Sequence, residues 1–238
     1  MENSRFNHHL RMTPCLLSRS LHLQLNHHRH HVRIWGDDDW PRLFMLHGWM
    51  DHSSTFQLLA EAFTRRYQII APDWRGFGGS DWNSGSYYSP DYLADLDALL
   101  AHFSPRQPVH LIGHSMGGLV CRDYLAVAGG DKVAQLITLA TPHQGSQLAT
   151  LGLGDNAREM EPGSGWLQRF AAVPLCVPGV SVRTSHDNFV LPQSRQRLDG
   201  MEDVELAALG HLSLLYSRRT TALLLTLLAR SQPQMKRA

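Results

Sequence analysis

The stretch Gly113-His114-Ser115-Met116-Gly117 constrains this 238-residue chain more than any other. The apolar run Val109-His110-Leu111-Ile112 leads into it, and the helix-compatible Leu119-Val120-Cys121-Arg122-Asp123-Tyr124-Leu125-Ala126 leads out. Gly-x-Ser-x-Gly between a strand and a helix forces the serine into a strained turn, with its hydroxyl clear of both backbone arms. Side chains at the flanking positions would collide with the neighbouring strand and helix, so glycine is needed there. In that context Ser115 reads as a nucleophile. An idle serine in a glycine-rich turn is the alternative.

A serine hydroxyl needs a general base, an acid to orient the base, and donors for an oxyanion. Where such an elbow occurs, the chain order is nucleophile, acid, histidine. The sequence holds 15 histidines, so position decides, and only His143, His186 and His211 follow Ser115. His211 lies after the strand-like Val204-Glu205-Leu206-Ala207 and before an apolar helical stretch, Leu214 to Leu228. A loop at the end of a last strand can carry its ring over the sheet, so His211 is the expected base. Val180-Ser181-Val182-Arg183-Thr184 alternates and is β-branched, and it places Asp187 at the exit of the preceding strand. Asp187 would accept a hydrogen bond from one ring nitrogen of His211, fixing its tautomer. Asp199 and Glu202 compete for that role from an expected surface turn, and His186 reads as a bystander.

For the oxyanion, one amide is expected from Met116, at a helix start where free N–H groups and the dipole favour anions. The other is expected from Trp49, after the strand Leu43-Phe44-Met45-Leu46 and the tight path through His47-Gly48. The His47 ring is expected to tie that loop down. Met50 and His143 are candidate substrate contacts.

These motifs, in this order and over nearly the whole chain, resemble the α/β-hydrolase superfamily. The resemblance rests on His47-Gly48, on Asp73-Trp74-Arg75-Gly76-Phe77-Gly78-Gly79-Ser80, on the Ser115 elbow, and on Asp187 and His211. Leu139-Ala140-Thr141-Pro142-His143-Gln144-Gly145-Ser146 and the stretch Thr184 to Ser217 are similar to bacterial lipases and esterases, the latter to small lidless ones. The likeness implies a mostly parallel sheet of about eight strands with helices on both faces and a short cap insertion. It implies a carboxylic ester hydrolase, with no metal and no organic cofactor. It also implies that Asp73 and Arg75 fasten loops rather than react. The same machinery serves thioesters, lactones, amides and carbon–carbon bonds. Epoxide hydrolases and haloalkane dehalogenases of this fold need an aspartate where Ser115 stands. The fold also hosts ligand-binding proteins without chemistry.

Composition agrees with a single domain spanning residues 1–238. A formal net charge of +1, with 18% charged residues, gives no basic field for nucleic acid. The partner expected is a small ester or lipid substrate. Three cysteines, Cys15, Cys121 and Cys176, make no disulfide framework. No apolar run suggests a signal peptide or an integral membrane segment, so the cytoplasm is the expected location. The glycines after Asp73 do not follow a nucleotide-binding spacing.

Leu21 to Leu25 and Val32 to Trp35 read as a strand hairpin. His27, His28, His30 and His31 between them are expected in a solvated turn rather than around a metal. Ser89-Pro90-Asp91 reads as a helix start, followed by a core face of Leu93, Leu96, Leu99 and Leu100. Residues 144–178 form a glycine-rich excursion with one short helical candidate, Trp166 to Phe170. It can supply a partial cover, leaving a shallow acyl site lined by Trp49, Met50, Met116 and part of the excursion. Short- or medium-chain esters and little interfacial activation follow. Residues 1–18 and 232–238 are expected to be loosely ordered.

Overall fold

Two extended segments pair across a two-residue turn near the start of the described chain. In the computed structural model, which describes residues 16–231, β1 (Arg19–Leu25) and β2 (His28–Trp35) form an antiparallel hairpin with Leu25 opposite His28. Asn26 and His27 take φ of 50° and 64°, the positive values a two-residue turn between twisted strands requires. The expectations for Cys15 and for residues 1–15 and 232–238 lie outside the described residues.

The sheet continues with β3 (Arg42–Leu46), β4 (Gln68–Pro72), β5 (Val109–His114), β6 (Val133–Leu139), β7 (Gly179–Arg183) and β8 (Glu202–Glu205). The spatial order is β1-β2-β4-β3-β5-β6-β7-β8; β2 meets β4 antiparallel, and every pairing from β4 to β8 is parallel. The helices are α1 (Gln57–Phe63), α2 (Ser89–Phe103), α3 (Met116–Ala128), α4 (Asp155–Glu159), α5 (Gly165–Ala171), α6 (Ser213–Tyr216) and α7 (Arg218–Ser231). This is the α/β-hydrolase arrangement, with eight strands and helices on both faces.

Alternation along the strands builds two cores. Phe44, Leu46, Leu111 and Leu136 pack with Leu96, Leu99, Leu119 and Val120 of α2 and α3. Leu43, Met45, Ile112 and Ile137 pack with Leu59, Phe63, Leu215 and Leu224 on the other face. Because both faces are covered, β3 reads as a continuous apolar run from Leu43 to Leu46 and β4 carries Ile69, Ile70 and Ala71 in succession.

Five expectations shift. The histidine-rich segment is solvated only at its turn. His30 is fully buried with Nε2 3.4 Å from Asp95, and His31 Nδ1 lies 2.7 Å from the Asp73 carboxylate. Both sides of β2 are covered there, so alternating ring directions both lead inward. Glu202 opens β8 instead of lying in a turn; Arg183 pairs with Asp203 at 2.8 Å and Glu205 at 2.6 Å, charges that an edge strand tolerates. The single helix expected from Leu214 breaks at Ser217 into α6 and α7. Ser89 opens α2 without capping it, because its N–H and hydroxyl donate to Glu159 at 3.0 and 2.9 Å, an anion at a helix N-terminus.

Glu159 belongs to the 144–178 excursion, which holds three short helical pieces rather than one: a 3-10 turn (Gln147–Leu151), α4 and α5. Asp123 of α3 fastens α5, accepting from Trp166 Nε1 at 2.7 Å and Arg169 Nη2 at 2.8 Å. Among the described residues no helix is long and apolar enough to cross a membrane.

Candidate active site

Parallel strands open their carboxyl ends on one edge of the sheet, and the singled-out loops converge there. β5 ends at His114, and Ser115 follows with φ 52° and ψ −124° before α3 begins. That conformation is strained for a side-chain-bearing residue. The Ser115 amide donates to Leu139 O at 2.9 Å, which anchors the elbow to β6. A Cβ on Gly117 would lie 2.2 Å from Leu46 O, so the helix can approach β3 only as glycine.

Asp187 and His211, 24 residues apart, meet with Oδ2 2.8 Å from Nδ1. Both are buried, 2% and 5% exposed. The other Asp187 oxygen accepts the Phe189 and Val190 amides at 2.7 Å each, so the carboxylate is held from two sides. A carboxylate only accepts, which puts the proton of neutral His211 on Nδ1 and leaves Nε2 able to take one. The His211 ring sits between Phe189 and His114, with centroid distances of 5.2 and 4.7 Å. His114 donates from Nε2 to the His211 carbonyl at 3.3 Å, and burial together with the nearby His211 lowers its pKa well below the usual imidazole value.

Ser115 and His211 line one cavity of about 200 Å³. Gly48, Trp49 and Met50 form one wall; Pro142, Ser146, Leu148, Ala149 and Met160 form the side toward the excursion. Met50 is 67% exposed at the mouth. Two expected contacts are absent from this lining. The Met116 side chain is fully buried in the core under the sheet, so only its backbone faces the elbow. His143 points away, with Nε2 3.0 Å from Thr138 Oγ1, and it lines a different cavity. Burial and the neighbouring Arg122 charge push its pKa down to about 3. The excursion, expected to supply part of the lining, does so through Ser146, Leu148, Ala149 and Met160, whereas Phe189, Val190 and Leu212 beside the Asp187–His211 pair were not anticipated.

His47, Asp73 and Arg75 brace the site. His47 donates from Nδ1 to Gly48 O at 2.7 Å and accepts the Trp74 amide on Nε2 at 2.9 Å, and burial lowers its pKa. Asp73 accepts the Ser53 amide at 2.6 Å and the Gly79 amide at 2.8 Å. Arg75 forks onto Asp95 at 2.7 and 2.6 Å. Among the described residues no group of three or more His, Cys, Asp or Glu side chains is gathered to hold a metal ion.

An eight-stranded sheet with a serine elbow and an Asp–His pair at its carboxyl edge defines a class, and sequence comparison agrees with it. A family model described as alpha/beta hydrolase fold matches residues 41–176, and the chain belongs to that family. It is similar to the pimeloyl-[acyl-carrier protein] methyl ester esterase of Aeromonas salmonicida, 35% identical over 101 residues, which are 42% of this chain and 38% of that protein. Epoxide hydrolase 3 of Xenopus tropicalis is 33% identical over 117 residues, 48% of this chain and 31% of that one. The 3-hydroxybutyrate-oligomer hydrolase of Cupriavidus necator is 33% identical over 96 residues, 39% of this chain and 32% of that one. The chain thus matches about a third of the length of these relatives. Among solved structures, a thermophilic esterase from Thermogutta terrifontis superposes with a TM-score of 0.72 at 17% identity, over 90% of this chain and 100% of that one. A thioesterase domain from the curacin biosynthetic pathway gives 0.71 at 19%, over 90% and 99%. At such identities the likeness speaks for the fold alone.

Proposed function

We propose that this protein hydrolyses carboxylic esters through an acyl-enzyme, with Ser115 as nucleophile, His211 as general base and acid, and Asp187 orienting His211. The observation that carries the reading is the shared cavity: a serine at positive φ and a histidine whose ring is fixed by a buried carboxylate face the same space. Ser115 attacks the ester carbonyl while His211 Nε2 takes its proton, and Asp187 stabilises the imidazolium. The Trp49 and Met116 amides receive the oxyanion, each donor worth about 10²–10³ in kcat. His211 then protonates the departing alcohol and activates the water that releases the acid.

A cavity of only about 200 Å³ at Ser115 supports a preference for short- to medium-chain acyl esters. The esterase named among the relatives supports ester chemistry. Epoxide opening fits poorly, since residue 115 is a serine where that chemistry on this fold uses an aspartate.

The test is hydrolysis of p-nitrophenyl esters from acetate to palmitate by wild type and Ser115→Ala. Turnover should peak at short or medium chains and vanish in the variant. A folded wild type inert toward every ester and unlabelled by a fluorophosphonate would overturn the assignment in favour of a binding protein.

A further inference from the structure

A second cavity of about 440 Å³ lies on the far side of the Pro142–Gln144 segment, more than twice the volume of the one at Ser115. Pro142 lines the Ser115 cavity, whereas His143 and Gln144 line this one, so a single stretch of chain separates them. Its other walls come from α5 and the residues after it, and from Leu198 and Asp199.

Arg122 of α3 forms part of the wall and is 6% exposed. Its guanidinium donates to His143 O at 3.1 Å and Phe170 O at 3.4 Å and lies 4.7 Å from the centre of the Phe170 ring. No carboxylate among the described residues pairs with it, because the adjacent Asp123 turns to Trp166 and Arg169. A buried cation satisfied by two carbonyls and a ring face retains unused donors, and Asp123 acts on its charge only through space, without a direct ion pair. Burial lowers its pKa to about 10, which leaves it charged at neutral pH. Leu167, Val173, Leu175 and Leu198 give the wall an apolar part, with the Gln144 and Gln168 amides beside it. The one acid of the lining, Asp199, is exposed at the rim.

We propose that this cavity binds an organic monocarboxylate with a short aliphatic body, its carboxylate on Arg122 and its chain against the leucines. The planar guanidinium fork matches a carboxylate, and the apolar walls suit the alkyl part. A multiply charged anion such as phosphate would meet one cation, an apolar wall and the Asp199 charge, and is disfavoured. The site does not depend on the ester-hydrolase reading.

Titration calorimetry of the full chain with sodium hexanoate tests this, with hexanol and inorganic phosphate as comparison ligands. Hexanoate should bind saturably at one site, and both comparison ligands should bind at least about tenfold more weakly. Arg122→Met should weaken hexanoate by about tenfold or more, as expected for loss of a charge-assisted pair. Ala172→Trp puts a large ring in the same cavity from an exposed position and should block binding while circular dichroism stays native. That variant decides the matter if Arg122→Met loses its carbonyl tethers and unfolds. Leu212→Trp, which crowds the Ser115 cavity, should leave hexanoate binding intact. Absence of saturable binding, or binding that survives Ala172→Trp, or binding lost only in Leu212→Trp, would overturn the proposal.

Discussion

Replacing Gly48 by alanine should disable the site by displacing a loop rather than removing a reacting group. A Cβ built on Gly48 stands 2.8 Å from Ser115 Cβ and 3.3 Å from its Oγ. Carbon–carbon contacts settle at about 3.5–4.0 Å, so one side must retreat by at least ~0.7 Å. Ser115 cannot do so easily, since its amide is bonded to Leu139 O at 2.9 Å and its backbone is locked at φ 52° in the elbow. The His47–Trp49 loop gives way instead and takes the Trp49 amide with it. A displacement approaching 1 Å costs ~10²-fold, the lower range for loss of one oxyanion donor, or about 2.7 kcal/mol in the barrier. The fall should appear in kcat for p-nitrophenyl butyrate, with KM within about threefold, because the lining supplied by Leu148, Ala149 and Met160 lies on elements the substitution does not touch. Overpacking by one methyl costs ~1–3 kcal/mol, a drop of roughly 2–12 °C in Tm for a chain of this size. A folded Gly48→Ala enzyme with kcat within threefold of wild type and an unchanged Tm would show that this close approach does not set the position of the oxyanion donor.

Asp187→Asn should lower kcat by about 10⁴-fold, ~5.4 kcal/mol, with the fold retained. The asparagine oxygen can still accept the Phe189 and Val190 amides, but its NH2 then faces His211 Nδ1 and selects the wrong tautomer; a loss below tenfold would refute the orienting role. His143→Gln should flatten the acid limb of stability. The native pKa of about 3 lies below the unfolded value near 6.5, so the unfolded chain binds the extra proton and wild-type stability falls as pH drops from about 6.5 toward 3. Between pH 7 and 5 this group accounts for about 2 kcal/mol of that loss. Urea midpoints at the two pH values, compared between wild type and variant, should show a smaller decline in the variant; equal declines would contradict the assignment.

The elbow, the inner strands and the order of Ser115, Asp187 and His211 were legible in the sequence because each is governed by local rules. Gly-x-Ser-x-Gly has few backbone solutions between a strand and a helix. Strands covered on both faces read as near-continuous apolar runs, as Leu43 to Leu46 does without a break and Val109 to Ile112 does apart from His110. Asp187 could be chosen over Asp199 and Glu202 because it leaves a strand end, and its Oδ2 lies 2.8 Å from His211 Nδ1.

Partnerships between distant segments were not legible. Glu159 reaches the amide of Ser89, 70 positions away, and displaces the serine from the capping role its own neighbours suggest. His30 and His31 look alike in the sequence, yet one lies against Asp95 and the other against Asp73, because α2 and the loop after β4 cover opposite sides of β2. His143 sits in a segment that passes the Ser115 cavity, but its ring turns to Thr138 and its carbonyl to Arg122. The sequence by itself determined which residues could carry chemistry and the order in which strands deliver them, since turn sterics and hydrophobic period act over a few residues. Only the tertiary structure decided which side chains share a cavity and which buried cation has carbonyls rather than a carboxylate against it among the described residues. Those outcomes depend on which elements stack against which, and burial strengthens or penalises polar groups according to neighbours that no short stretch of sequence contains.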